Sequence, residues 1–511
     1  MSLLSSTLYI SLASLFSRLL GVFRENLLAR AFGGLTETGT NPLDAYYAAF
    51  RVPDFIYNLL ILSVGAAIFV PVLTREIKKN QKQAWQLTSN LFNLLFVALI
   101  LVSGIAYLCA PLLIQLLGVG FSPETQQLTV ELTRIMLLSP IFFGLSSLVG
   151  SLLSVFKNFV SYTLSPIIYN LGIIAGIIIL VPHYGVYGVA YGVVGGAFLH
   201  FAVQLPALLK QGFKYQFVFN WKIPELREIV RLALPRFLGL SATQLNLVVD
   251  TVIGSTLVAG SLTILNWTQN LQFLPIGLIG ISLSITAFVA LADSAATQDK
   301  KSFQKKLEES IKVILFLAIP ATVGMFLLKT EIVGIVLNYG AFAANSENIL
   351  LSAGTLGFFS LSLVFQCLLP LLAKAFYAWQ DTWTPVKNTF WQIGLNIAFS
   401  IFFAKILNLG VIGLGIAFSL ASTFGCVLLI YQTRQKIAPL PWRNFSREIG
   451  QMLLASLLMS GVIIILLILI QSLFLKLVLG ILGGALVYLV VLHLFHNPTL
   501  RLFRGKLNRH C

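Results

Sequence analysis

Long apolar stretches alternate with short polar or Gly/Pro-containing turns along the whole chain. They fall at about 7–32, 45–73, 88–118, 129–156, 159–181 and 185–209. Eight more follow at about 230–257, 262–292, 311–328, 347–376, 386–407, 411–432, 449–472 and 475–495. These runs are longer than the 9–11 residues of a barrel strand and lack its alternation, whereas a spanning helix needs about 20 apolar residues. The pattern predicts an all-α polytopic membrane protein with about fourteen transmembrane helices. A segment near 213–228 mixes aromatic and charged residues, a pattern suited to the membrane interface.

Composition agrees with a bilayer environment. Of the 511 residues 57% are hydrophobic and only 10% charged, and mean hydropathy is +0.89. Soluble domains carry about 25% charged residues, so a large soluble enzyme and a disordered chain are both excluded. The four cysteines are scattered without paired or metal-like spacing. The start has no basic n-region and no small-residue cleavage pattern, so it reads as a first span rather than a removable signal.

Basic residues set the orientation. Alternate connections, with the C-terminal tail, hold 25 of the 34 Lys and Arg residues, and the other set holds only Lys329, Lys405 and Lys476. The rule that basic loops stay inside predicts that both termini are cytoplasmic. The net charge of +16 therefore expresses topology and attraction to anionic lipid headgroups rather than nucleic-acid binding.

Six basic residues remain outside the loops: Arg18, Arg24, Arg30, Arg51, Arg134 and Arg236. At 100° per residue, Ser11, Ser14, Ser17, Arg18, Gly21, Arg24 and Glu25 share an arc of about 140° on the first span. Leucines and phenylalanines cover the remainder, giving one lipid face and one wet or protein-facing face. A central Arg costs about 2.5–3.5 kcal/mol on translocon scales, so an intramembrane charge is by default a functional group with a partner. Arg30, near a helix end, fits snorkelling instead. The seventh span repeats the logic: Arg236, Gly239, Thr243, Asn246, Asp250 and Gly254 lie within about 80°. The second span carries Asp44, Arg51 and Asp54 beside Pro53, and Pro275 interrupts the eighth. Both prolines predict local breaks in the helix.

The chain has no phosphate-binding Walker loop, no HExxH and no clustered His/Cys set, so neither ATP hydrolysis nor a metal site is expected, and no cofactor. His200 fits a hydrogen-bonded core residue better than a ligand. An internal repeat is also visible. SRLLG at 17–21 recurs as PRFLG at 235–239, and GVYGVAY at 185–191 recurs as GVIGLGI at 410–416, offsets of 218 and 225. The repeat predicts an N-terminal six-helix bundle at 1–212, an interfacial linker at 213–228 and a second six-helix bundle at 229–436. Two further helices and a basic tail fill 437–511. Parallel repeats of this kind build transporters that bind cargo between their halves.

AFYAWQDTWTPVK (375–387), SRLLGVFRE (17–25), DAYYAAFRVP (44–53), FVPV (69–72) and LPRFLG (234–239) resemble, in order and over nearly the full length, the MurJ (MviN) lipid II flippases. The resemblance implies the multidrug/oligosaccharidyl-lipid/polysaccharide exporter fold. It implies a transporter, not an enzyme, that moves undecaprenyl-linked cell-wall precursor from the inner to the outer leaflet of a bacterial cytoplasmic membrane. Membrane lipids and cell-wall synthesis proteins are the implied partners. Ser17, Arg18, Arg24 and Asp44 match cavity positions of the family, and Arg51 takes a position usually basic there. With Arg236 they form the expected substrate-binding set, because Arg forks match phosphate oxygens bidentately. Glu25 and Asp54 are the expected charge-switch partners. Asp250 and Asn396 resemble positions that hold sodium in some members, with Ser400 standing where an acid is usual, so sodium or proton coupling is the corresponding expectation. The chain departs from the family at Tyr57, Asn58, Leu62 and Ser63, where an Arg pair and Glu-Gly are usual, and at Asn270, where an Arg is usual. A related exporter of another polyprenyl-linked oligosaccharide or of a small drug is the alternative reading.

Overall fold

A computed structural model describes residues 3–35, 40–156, 158–437 and 442–500. The described chain is helical with no strand. In order the helices are α1 (Leu3–Phe32), α2 (Pro42–Ile56), α3 (Ser63–Lys79), α4 (Gln81–Leu117), α5 (Pro123–Met136), α6 (Ser139–Val155) and α7 (Phe159–Ala175). Then come α8 (Val181–Tyr184), α9 (Val186–Ala202), α10 (Leu205–Lys210) and α11 (Pro224–Ser255). The remainder are α12 (Ser261–Pro275), α13 (Ser282–Ala296), α14 (Lys300–Leu327), α15 (Lys329–Val336), α16 (Glu347–Leu361), α17 (Leu363–Ala378), α18 (Trp383–Ser400), α19 (Gly410–Lys436), α20 (Trp442–Leu469) and α21 (Leu473–Leu494).

Among the described residues, ten helical segments are long and apolar enough to cross a membrane, and α16 and α17, bent by 44° where they join, meet that test together. The other three expected spans have helical counterparts in α1, in the run from α2 to α3, and in α11. Those three carry Arg18, Arg24 and Glu25; Asp44, Arg51 and Asp54; and Arg236 and Asp250, respectively.

Two compact units divide the chain: 1–263 with 339–344, and 264–338 with 345–511. The sequence repeat puts the joint at 213–228. Compactness divides the chain at 263/264 because α11 packs on α3 and α4. In the first unit, Phe69, Leu73, Trp85, Val149 and Leu152 form a buried core between α3, α4 and α6. In the second, α14 and α17 supply much of the core, with Phe303, Ile314, Leu371 and Phe376 fully buried. Tyr488 of α21 donates to the Phe316 carbonyl at 2.8 Å, tying the last helix to α14.

The prolines leave the expected breaks. Pro53 cannot donate to the carbonyl four residues back, and a π-helical turn follows at Tyr57–Leu62. Pro275 closes α12, and a second π-helical turn follows at Ile276–Ile281. Two more lie at Gly176–Leu180 and Ile401–Ile406. The first pair starts 219 residues apart and the second 225 apart, within one residue of the sequence repeat's spacings. The repeat thus extends to the places where the helices unwind.

Glycine spacing explains how α7 and α9 pack. Gly172 and Gly176 lie on one face of α7 and its π-helical extension, and Gly192 and Gly196 lie on α9, each pair in small-xxx-small spacing. A Cβ on Gly176 would sit 2.5 Å from the Gly192 Cα, and one on Gly172 would sit 2.5 Å from the Gly196 Cα. Backbone cannot yield as a side chain can. Gly176→Ala is therefore expected to destabilise the protein by about 1–3 kcal/mol, the usual range for overpacking. Lowered thermal unfolding of the purified variant in detergent would register this. Gly195→Ala, whose Cβ meets nothing within 4 Å, serves as the control.

The AFYAWQDTWTPVK loop has a local architecture as well. Gln380 takes φ of 60°, and Asp381 accepts from the Thr384 backbone N–H at 2.9 Å and its hydroxyl at 2.6 Å. The carboxylate thereby satisfies an orphan donor at the start of α18. Lys436 of α19 donates to the Thr384 hydroxyl at 2.7 Å. Slight burial raises the Asp381 carboxyl, but the Thr384 bonds and Lys436 outweigh it and hold the group below its ordinary range.

Candidate functional site

Of the polar stripe read on α1, Ser17, Arg18, Gly21 and Arg24 are half-buried and Glu25 is buried, whereas Ser14 is exposed. Leu12, Phe16, Leu19 and Phe23 are about half exposed on the opposite side, as the 100° rule requires of a lipid face. Arg24 lies eight residues before the end of α1 and Arg51 nine residues after the start of α2. At 1.5 Å per residue Arg24 sits roughly 12 Å from the C-terminal end of α1 and Arg51 roughly 14 Å from the N-terminal end of α2.

Arg24 is clamped. Its Nη2 meets Glu25 Oε1 at 2.6 Å, and its Nη1 donates to Asn170 Oδ1 of α7 at 3.3 Å. Glu25 is buried, with 4% of its surface exposed, and its other oxygen accepts from the Tyr47 hydroxyl at 2.6 Å. Asn170 in turn donates to the Ser17 hydroxyl at 3.2 Å and to the Ser17 carbonyl at 3.3 Å. The Nε–H of Arg24 is buried and finds no acceptor among the described residues. Ser17, Arg24, Glu25, Tyr47 and Asn170 thus form one network that fixes the guanidinium and leaves one of its donors open. Arg18 is half-buried on the same helix.

Arg51 belongs to a second group. Its Nε donates to the Thr251 hydroxyl of α11 at 2.8 Å, and Asp54 and Asp250 are close enough to act on its charge. Asp250 is 5% exposed and accepts from the Asn246 side-chain amide at 3.3 Å. The polar stripe of the seventh span therefore meets the charged face of the second inside this unit. The Arg236 side chain, and those of Leu62 and Ser63, lie outside the described residues.

Asp44 has another role. It is 3% exposed and accepts from Gly260 N–H at 2.6 Å, Thr263 N–H at 2.8 Å and the Thr263 hydroxyl at 2.6 Å. Those two backbone donors open α12, so Asp44 caps a helix more than 200 residues away in sequence. Three of the roughly four acceptor positions of a carboxylate are thus engaged in the fold, a capping role that the sequence assignment to the substrate-binding set did not include.

Asn396 and Ser400 stand one turn apart on α18, 3% and 0% exposed, and the Ser400 hydroxyl has no hydrogen-bond partner among the described residues. Among the described residues, no group of three or more His, Cys, Asp or Glu side chains is disposed to hold a metal ion. His200 packs as read, its Nδ1 2.7 Å from the Ser146 hydroxyl. Arg30 is exposed and stacks over the Tyr339 ring at 4.6 Å. Tyr47, Asn170 and Thr251 were not singled out by sequence; the signal for Asn170 is one amide amid the apolar run of α7.

A many-span helical protein that keeps arginines and carboxylates networked inside its spans has the build of a membrane transporter. An inward-facing multidrug resistance transporter of the MATE family, from the MOP superfamily, shares the fold at 14% identity with a TM-score of 0.68, covering 83% of this chain and 94% of that one. The solved structure of the lipid II flippase MurJ in an inward closed conformation superposes with a TM-score of 0.80 at 29% identity, covering 95% and 98%. Among sequences, the lipid II flippase MurJ of Burkholderia cenocepacia is 28% identical over 471 residues, 90% of this chain and 89% of its own length. A probable lipid II flippase MurJ of Buchnera aphidicola from Acyrthosiphon pisum is 28% identical over 522 residues, 99% and 95%. The model of the lipid II flippase MurJ family matches residues 35–483, and this chain belongs to that family.

Proposed function

We propose that this protein is a flippase for lipid II, a transporter and not an enzyme, in the multi-pass inner membrane of a bacterium. The observation that carries the reading is the arginine network inside the spans, with Arg24 fixed by Glu25 and Asn170 and still holding an open Nε–H. A lipid pyrophosphate cannot cross hydrocarbon with its charge unpaired. Guanidinium groups supply charge-assisted, forked donors that stay ionised at any depth. Arg18, Arg24 and Arg51 are the proposed contacts to the pyrophosphate. Glu25 and Asp54 exchange places with the cargo as their partners, so that the arginines are neutralised whether the site is empty or full.

The finer mechanism follows from the same chemistry. Cargo is taken from the inner leaflet and released to the outer one by alternating access, with both termini cytoplasmic. No nucleotide-binding loop is present, so membrane potential or an ion gradient resets the cycle. Each charge moved is worth about 2.3 kcal/mol per 100 mV. Asn396 and Ser400 are the proposed sodium ligands. Depletion of a resident lipid II flippase in a bacterial host tests the function. Expression of this chain is expected to restore growth and the appearance of lipid II in the outer leaflet. Restored membrane insertion with no lipid II outside would refute it.

A further inference from the structure

Residues 213–220 run extended across α4, with no neighbouring strand to satisfy their backbone. Side chains of α4 satisfy it instead. Asn90 and the Asn220 backbone exchange two hydrogen bonds, at 2.6 and 2.9 Å. Asn93 donates to the Val218 carbonyl at 2.9 Å, and Ser89 accepts from the Gln216 N–H at 3.1 Å. Phe213 anchors one end against Trp85, with ring centroids 5.3 Å apart. Phe217, Phe219 and Trp221 turn outward, 84%, 44% and 64% exposed, while Tyr215, 58% exposed, lies back on α4 with its hydroxyl donating to Asn93 Oδ1 at 2.7 Å.

The depth of this strap follows from α4. Its lipid-exposed aliphatic and aromatic side chains begin at Phe96 and run to Leu116, a rise of roughly 30 Å and so about one hydrocarbon thickness. Asn93, Asn90 and Ser89 come within the next two turns, and Gln86, Gln83 and Lys82 beyond them are exposed and polar. The strap therefore crosses α4 at the level of the lipid headgroups. Exposed Lys210, Lys214 and Lys222 flank its aromatic row. Of the nearby acids, Glu228 is occupied by Arg75 at 2.7 Å, which leaves Glu225 as the counter-charge.

We infer that the 213–223 strap is a binding site for anionic phospholipid, its aromatic row seated in the interface and Lys210, Lys214 and Lys222 paired with headgroup phosphates and their net negative charge. Aromatic rings favour that layer, and each Lys near an anionic surface adds about fivefold to binding. Full-length protein in detergent, exposed to equal phosphatidylglycerol and phosphatidylcholine and examined by native mass spectrometry, provides the test. The parent is expected to retain phosphatidylglycerol preferentially. K210Q/K214Q/K222Q is expected to lose most of that preference, while K300Q/K301Q/K305Q, an equal charge loss elsewhere, keeps it. Equal loss in both triple variants, or no preference in the parent, overturns the proposal. As a second reading, the emission lost in W221F should be quenched in the parent by phosphatidylcholine brominated high on its acyl chains. Unquenched Trp221 emission would contradict interfacial seating even if the lysine variants misfold.

Discussion

Arg24→Ala is expected to abolish lipid II translocation while the protein still inserts in the membrane. The side chain offers two donors already oriented by Glu25 and Asn170 and a third, Nε–H, with no acceptor among the described residues. Hydrogen bonds to charged groups contribute about 1.5–3 kcal/mol each, so every lost contact to a pyrophosphate lowers affinity roughly 10- to 150-fold. Truncation also strands Glu25, and breaking a buried ion pair costs about 3–5 kcal/mol of stability. Arg24→Ala/Glu25→Gln separates the two effects. It should recover thermal stability without recovering transport. Recovery of both in the double variant would make Arg24 a structural clamp. Arg24→Lys keeps the charge but not the fork, and should leave only weak activity.

Asp44→Ala should behave differently, as a folding lesion. Its carboxylate serves two backbone N–H groups and one hydroxyl at the start of α12. Removal leaves the Gly260 and Thr263 donors unsatisfied, at about 1–3 kcal/mol apiece. A loss of several kcal/mol is expected, read as a large drop in thermal unfolding temperature and in yield. Asp44→Asn keeps an acceptor oxygen and should recover part of it. If Asp44→Ala unfolded like the parent but failed to bind lipid II, the capping role would be secondary to a cargo contact.

Much of this was legible in the chain. The lipid face of α1 follows from helical periodicity alone: Phe16, about half exposed, stands about 160° from Arg18 at 100° per residue. The breaks after Pro53 and Pro275 follow from a missing N–H. Other features had no local signature. Asp44 reads as one more intramembrane acid, because the donors it caps arrive from Gly260 and Thr263. Arg24 and Glu25 are adjacent, and neighbours at that spacing on a helix do not ordinarily face each other. Tyr47, arriving from another helix, holds the Glu25 carboxylate in place for the pairing. The Arg51–Thr251 bond likewise needed the packing of α11 into the first unit, whereas the sequence repeat assigned that helix to the second bundle.

The central claim is that guanidinium groups buried in the membrane receive a lipid pyrophosphate. Binding of labelled lipid II to the purified protein, compared with Arg24→Ala/Glu25→Gln and Arg51→Gln at matched stability, tests it most directly. The account predicts saturable binding by the parent and at least roughly tenfold weaker binding by each variant. Equal affinity across all three would contradict it.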